Sequence, residues 1–121
     1  MSDAATPPDL EAAAVRTDQL LAHLWMVRKF LKDAPESADF PELLDLPRAI
    51  FDAARAVEAS RSDPAAYLKA NRKKLAKLQA AAAAFRAAAP QISDHTNFKM
   101  AAASTDAALA ALAETLAATG F

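Results

Sequence analysis

A single glycine, Gly120, in an alanine-rich chain of 121 residues is the feature that most constrains the fold. Alanine is by far the commonest residue and the best helix former, whereas glycine is among the worst. No stretch has the apolar–polar alternation of period two that is typical of a half-buried β-strand. We therefore expect an all-α fold.

Proline and capping residues divide the chain into four predicted helices, at about residues 7–33, 41–60, 64–88 and 94–118. The first helix is predicted to start where the Thr6 hydroxyl caps it and Pro7 occupies the first turn. The third is predicted to start with Asp63 as its cap and Pro64 in the first helical position. A polar connection is expected over residues 36–39.

The other helix boundaries are predicted from prolines, polar caps and the glycine. Pro47 lies inside the second predicted helix, so either it kinks that helix or a short turn ends before it and a new helix starts there. Pro90 is expected to end the third helix, and Ser93 and Asp94 are expected to cap the fourth. Gly120 is expected to adopt the left-handed conformation that terminates helices.

Residues 20–31 hold the densest group of large apolar side chains and include the only tryptophan, Trp25. At about 100° per residue, their apolar arc exceeds half the helix circumference, so this helix needs neighbours on more than one side. Long helices joined by short loops predict one domain over residues 1–121, an antiparallel up-down-up-down four-helix bundle. The predicted core is Leu20, Leu24, Val27, Leu31, Ile50, Leu75, Leu78, Phe85, Phe98, Leu109 and Leu112.

Charge is distributed unevenly along the chain. Residues 1–63 carry 7 basic and 12 acidic side chains, a net charge of −5, whereas residues 64–121 carry 7 basic and 3 acidic ones, a net charge of +4. The two halves should attract each other, either within one chain or between two copies.

The composition excludes several kinds of catalytic site. The chain has no cysteine, which rules out disulfides, thiolate metal sites and cysteine nucleophiles. Phosphate-binding loops, dinucleotide fingerprints and nucleophile elbows all need glycines that this chain does not have. No recognisable motif pairs a nucleophile with a general base, so we expect no catalytic residues and no cofactor.

Membrane and nucleic-acid partners are not expected either. Residues 1–9 are polar and acidic, unlike a signal peptide, and no apolar run is suited to cross a bilayer, so a cytoplasmic location is predicted. A basic cluster on the third predicted helix has no interleaved aromatic residue for base stacking, which favours a solvated surface over nucleic-acid binding. That cluster is Lys69, Arg72, Lys73, Lys74 and Lys77.

Six side chains are candidate ligand-binding residues of one cleft: His23, Trp25, Arg28, His95, Asn97 and Phe98. No metal is predicted, because the two histidines should lie roughly 15 Å apart along the bundle, too far to share an ion bound at about 2.1 Å. Arg28 either contacts a bound anion or an interfacial carboxylate, or it lays its stem along the core edge and reaches water. Residues 94–97 either bind an anion at a helix start or only cap it.

The predicted function is that of a non-catalytic helical-bundle interaction module whose partner is another protein or a second copy. Three features favour self-association: the wide apolar arc of the first helix, the charge-poor outer face of the fourth, and the opposite charges of the two halves of the chain, which suit an antiparallel two-fold pairing. The residues expected at such an interface are Trp25, Met26, Phe30 and Met100. The alternative is a small-ligand or metal-binding protein that uses the cleft near His23, Trp25, Arg28 and His95.

Overall fold

The computed structural model describes residues 9–121 and is all-helical over that range, which confirms the predicted fold class. The described residues form five α-helices: α1 Leu10–Asp33, α2 Pro35–Asp39, α3 Asp45–Glu58, α4 Pro64–Ile92 and α5 Thr96–Ala118. A 3-10 turn, Pro41–Leu44, joins α2 to α3. None of these helices is both long and apolar enough to cross a membrane.

Helix α1 is capped by Asp9, whose carboxylate accepts a hydrogen bond from the backbone N–H of Ala12 at 3.0 Å. The predicted start at Thr6 and Pro7 lies outside the described residues. Helix α4 starts as predicted, because Asp63 accepts from the N–H of Ala66 at 3.3 Å and Pro64 begins the helix.

The connection between α1 and α3 is more helical than predicted. The expected polar connection at residues 36–39 belongs to α2, which the buried Ser37 ties to α1 by donating its hydroxyl hydrogen to the carbonyl of Leu31 at 2.6 Å. Helix α3 begins at Asp45, so Pro47 lies in its first turn and is buried. A proline is tolerated there because the first turn needs no N–H donor for the helix ladder.

The α4–α5 connection differs from the prediction at both ends. Helix α4 continues through Pro90 to Ile92: the proline lacks its own N–H donor, but the backbone bonds resume after it, with the N–H of Ser93 donating to the carbonyl of Ala89 at 2.9 Å. The cap of α5 is His95, not Ser93 or Asp94, since its Nδ1 accepts from the N–H of Asn97 at 3.0 Å. Gly120 has the expected positive φ, +78°.

Helix α1 packs against α3, α4 and α5, while α4 also packs against α3 and α5. Every predicted core residue except Leu75 is buried, and Leu75 is half-buried against the edge of the same cluster. Two polar side chains share these apolar faces. Asn71 donates its side-chain N–H to the carbonyl of Tyr67 at 2.9 Å, whereas the buried Thr105 hydroxyl has no hydrogen-bond partner among the described residues.

Candidate functional site

The six candidate ligand-binding residues are distributed over separate surfaces. His23 is exposed on α1 and shares a hydrogen bond between its Nε2 and the Ser104 hydroxyl of α5. Trp25 lines a groove against α3, whereas Arg28 lines a different pocket beside the start of α3. The structure therefore does not bring His23, Trp25, Arg28 and His95 into one cleft.

The other three candidates lie together between the end of α1 and the start of α5. His95, Asn97 and Phe98 line a cavity of about 450 Å³ with Phe30. Phe98 is buried and packs edge-to-face on Phe30, with ring centres 5.5 Å apart. His95 itself is exposed, and its Nδ1 is used as the cap of α5.

Two charged side chains at this cavity, Lys29 and Asp33, form an exposed ion pair. Lys29 donates to the carboxylate of Asp33, and this hydrogen bond holds the Asp33 pKa below its usual value. Residues 9–121 contain no group of three or more histidine, aspartate or glutamate side chains arranged to hold a metal ion.

A more apolar depression, the α1–α3 groove, has a volume of about 420 Å³. Leu21, Trp25 and Met26 contribute its α1 side, and Ala54 and Val57 contribute its α3 side. The remaining lining residues are Asp18, Ala22, Arg55, Glu58, Arg61 and Tyr67. The groove therefore combines an apolar floor with charged side chains, as binding surfaces commonly do.

A polar cluster, Asp18, Arg61 and Tyr67, closes one end of the groove. Arg61 donates to the Asp18 carboxylate, and the Tyr67 hydroxyl lies 3.3 Å from the same oxygen. Burial raises the pKa of Tyr67, and the neighbouring Asp18 charge raises it further. Hydrogen bonding to Asp18 likewise raises the pKa of Arg61.

None of these three residues belongs to the predicted site. Asp18 and Tyr67 are 49 positions apart, and no motif spacing links them. The contact depends on how α1 lies against α4, which local sequence pattern does not determine. Their only sequence signal is that Tyr67 is the sole tyrosine of the chain.

An aromatic pair closes the other end of the groove. The rings of Trp25 and Phe51 stack at 6.0 Å with an interplanar angle of 28°. The Arg28 guanidinium lies over the Trp25 ring, 3.9 Å from its centre, and 5.8 Å from the centre of Phe51. Beyond this pair is the Arg28 pocket, about 370 Å³, lined by Arg28, Lys32, Leu44, Pro47, Arg48, Phe51 and Asp52.

Helix α1 also has an exposed face that none of the other described helices covers, which we call the outer stripe. Its members follow the alternating three- and four-residue spacing of a coiled-coil seam: Ala12, Val15, Gln19, Ala22 and Met26. All five are exposed, and Val15 and Met26 retain 59% and 64% of their accessible surface.

Comparisons of this chain with protein-family models, with curated proteins and with solved structures find no match. The site must therefore be interpreted from its own geometry.

Proposed function

We propose that this chain is a non-catalytic helical-bundle interaction module whose partner is a second copy of itself. The observation that carries the proposal is the outer stripe, in which two large apolar side chains, Val15 and Met26, are mostly exposed on one uncharged helix face. A second α1 helix laid along this stripe would remove both side chains from water, which is favourable.

The stripe is complementary to itself in an antiparallel pair. Ala12 and Met26 each lie seven positions from Gln19, on opposite sides. In a two-fold pair centred on Gln19, the long Met26 side chain would cover Ala12 of the partner copy. Val15 would likewise lie near Ala22 of that copy. Matching large side chains with small ones lets two helices pack closely.

Charge at the two ends of α1 favours the same orientation. The helix starts with the acidic residues Asp9 and Glu11 and ends with the basic residues Arg28, Lys29 and Lys32, although Asp33 follows them. An antiparallel pair would bring the acidic end of each helix to the basic end of the other. Such complementarity selects orientation and partner more than it adds affinity.

The proposal includes an antiparallel up-down-up-down arrangement of the four longer helices. It is supported by pairs of contacts in which a residue later along one helix contacts a residue earlier along the neighbouring segment. Along α1, Asp18 and Trp25 contact Arg61 and Phe51, respectively, so the chain direction reverses from α1 to α3. The contacts of His23 with Ser104 and of Phe30 with Phe98 indicate the same reversal between α1 and α5.

Of the four residues expected at the interface, only Met26 belongs to the outer stripe and is retained in this proposal. Trp25 lies at the flank, where it stacks on Phe51. Phe30 is half-buried against Phe98, and Met100 is exposed on α5 rather than on the outer stripe. The cytoplasmic location stays a prediction.

Sedimentation equilibrium at micromolar concentration tests the proposal. We expect a species of about twice the 12.8 kDa chain mass, held by an interface of at least about 1,000 Å² in total. Met26→Glu should shift the protein to monomer, because burying an unpaired carboxylate is unfavourable.

Met100→Glu is the matched control, since Met100 is 60% exposed on a different helix and should leave the dimer intact. A wild-type chain that sediments only as a monomer would refute the proposal. So would a dimer that Met100→Glu dissociates and Met26→Glu does not.

A further inference from the structure

We infer that the Arg28 pocket binds a small organic anion, one with a carboxylate or phosphate head and a short apolar portion. Arg28 is held in place by its stacking on Trp25. Its Nε is buried and has no hydrogen-bond partner among the described residues. That atom is closed to solvent and hence to a ligand, so the outer nitrogens of the Arg28 guanidinium are the ones that would donate to an anion in the pocket.

The other charges lining the pocket also favour an anion. Lys32 and Arg48 add two cations to Arg28, and Asp52 is the one acidic residue of the lining. Lys32 and Arg48 form ion pairs with neighbours outside the lining, Asp33 at 3.9 Å and Asp45 at 3.5 Å. All four side chains of these pairs are more than half exposed, so the pairs are weak and can yield to a ligand.

The rest of the lining specifies the second part of the ligand. Leu44, Pro47 and Phe51 form an apolar wall, and Phe51 is 40% exposed. A bare inorganic ion would leave this wall in contact with water. An anion that carries a short alkyl or aromatic group would cover it, and for this reason we assign the pocket to an amphiphilic anion rather than to free phosphate.

Titration with hexanoate, hexyl phosphate, hexanol and inorganic phosphate tests the assignment. We expect both amphiphilic anions to bind with a Kd on the order of 1 mM. Hexanol and inorganic phosphate should each bind at least about tenfold more weakly, because each lacks one of the two required parts. Fluorescence of Trp25, the only tryptophan, reports on the pocket through Arg28, which stacks on its ring, and calorimetry provides a readout that is independent of the ring.

Arg28→Gln should weaken hexanoate binding by about tenfold or more, since it removes the charge-assisted hydrogen bond. Arg55→Gln is the matched control, because Arg55 lies at the same 5.8 Å from the Phe51 ring but lines the α1–α3 groove. Exposed Arg48 provides a second variant, Arg48→Gln, that should lower affinity severalfold without disturbing the core. Equal binding of hexanol and hexanoate, or full affinity in both variants, would overturn the assignment.

The anion site does not depend on self-association, since Arg28 lies outside the outer stripe. The Met26→Glu variant should therefore bind hexanoate with the affinity of the wild-type protein. Because the oligomeric state and the affinity for hexanoate are measured independently, a failure of one proposal can be told from a failure of the other.

Discussion

The guanidinium of Arg28 is stacked 3.9 Å above the centre of the Trp25 ring, three positions earlier on α1. This contact separates the α1–α3 groove from the Arg28 pocket, because Trp25 lines the first and Arg28 the second. Among the described residues, no carboxylate forms an ion pair with Arg28. Its charge is held by an aromatic face, an attraction worth about 0.5–2 kcal/mol.

Leu24 should be one of the most sensitive positions of the core, since its side chain is fully buried on α1. We expect Leu24→Ala to lower the free energy of unfolding by about 2–5 kcal/mol, through lost apolar contacts and the cavity left behind. Met26 is two positions away and mostly exposed, so Met26→Ala should change the free energy of unfolding of the monomer by less than about 0.5 kcal/mol. Urea denaturation measures both; equal effects would mean that the apolar face of α1 is wrongly assigned.

Replacing Thr105 with valine should stabilise the folded protein. Its buried hydroxyl has no partner among the described residues, and burying an unpaired hydroxyl costs about 1–3 kcal/mol. Thr105→Val should therefore raise the free energy of unfolding by about 1 kcal/mol. The control is Thr115→Val, which removes a hydroxyl that donates to the carbonyl of Ala111 at 2.8 Å and should bring no gain. A Thr105→Val protein with a lowered melting temperature would contradict the burial of an unpaired hydroxyl.

Tyr67 should make the fold sensitive to alkaline pH. Burial raises its pKa in the folded chain, so the folded state holds the phenolic proton more tightly than the unfolded state does. This contribution to stability is fully present below the unfolded pKa of about 10 and is lost as pH rises through the folded pKa.

Because Tyr67 is the only tyrosine, tyrosinate absorbance measures its pKa directly. Asp18→Asn should bring that pKa closer to the ordinary value, since one neighbouring negative charge is removed. The alkaline loss of stability should be smaller in Tyr67→Phe than in wild type. An ordinary Tyr67 pKa in the folded protein would contradict this account.

Local sequence signals predicted the helix boundaries correctly where the conformational preference of one or two residues determines them. Asp63 followed by Pro64 starts α4, and Gly120 takes its positive φ after α5, because few residues suit those positions. The prediction at Pro90 was wrong because the loss of one N–H donor does not stop the helix, and Ser93 still donates to the carbonyl of Ala89 beyond it. The prediction that Ser93 and Asp94 cap α5 was wrong because the imidazole of His95 acts as the acceptor at the start of this helix.

The candidate site was less predictable, since it depends on contacts between distant segments. The stacking of Arg28 on Trp25 did have a local signal, because residues three apart are neighbours on a helix. The contact between Asp18 and Tyr67 had none, since it depends on the crossing of α1 and α4. The outer stripe became visible only once the buried face of α1 had been established.

Cross-linking through a single introduced cysteine tests the proposed pairing most directly, and the chain has no natural cysteine to interfere. In an antiparallel pair centred on Gln19, the two copies of that residue face each other, so Gln19→Cys should form a disulfide-linked dimer readily under mild oxidation. Ala12→Cys should not, because its counterpart in the other copy lies near Met26, at the far end of the stripe. Cross-linking by Ala12→Cys but not by Gln19→Cys, or by neither, would contradict the antiparallel dimer.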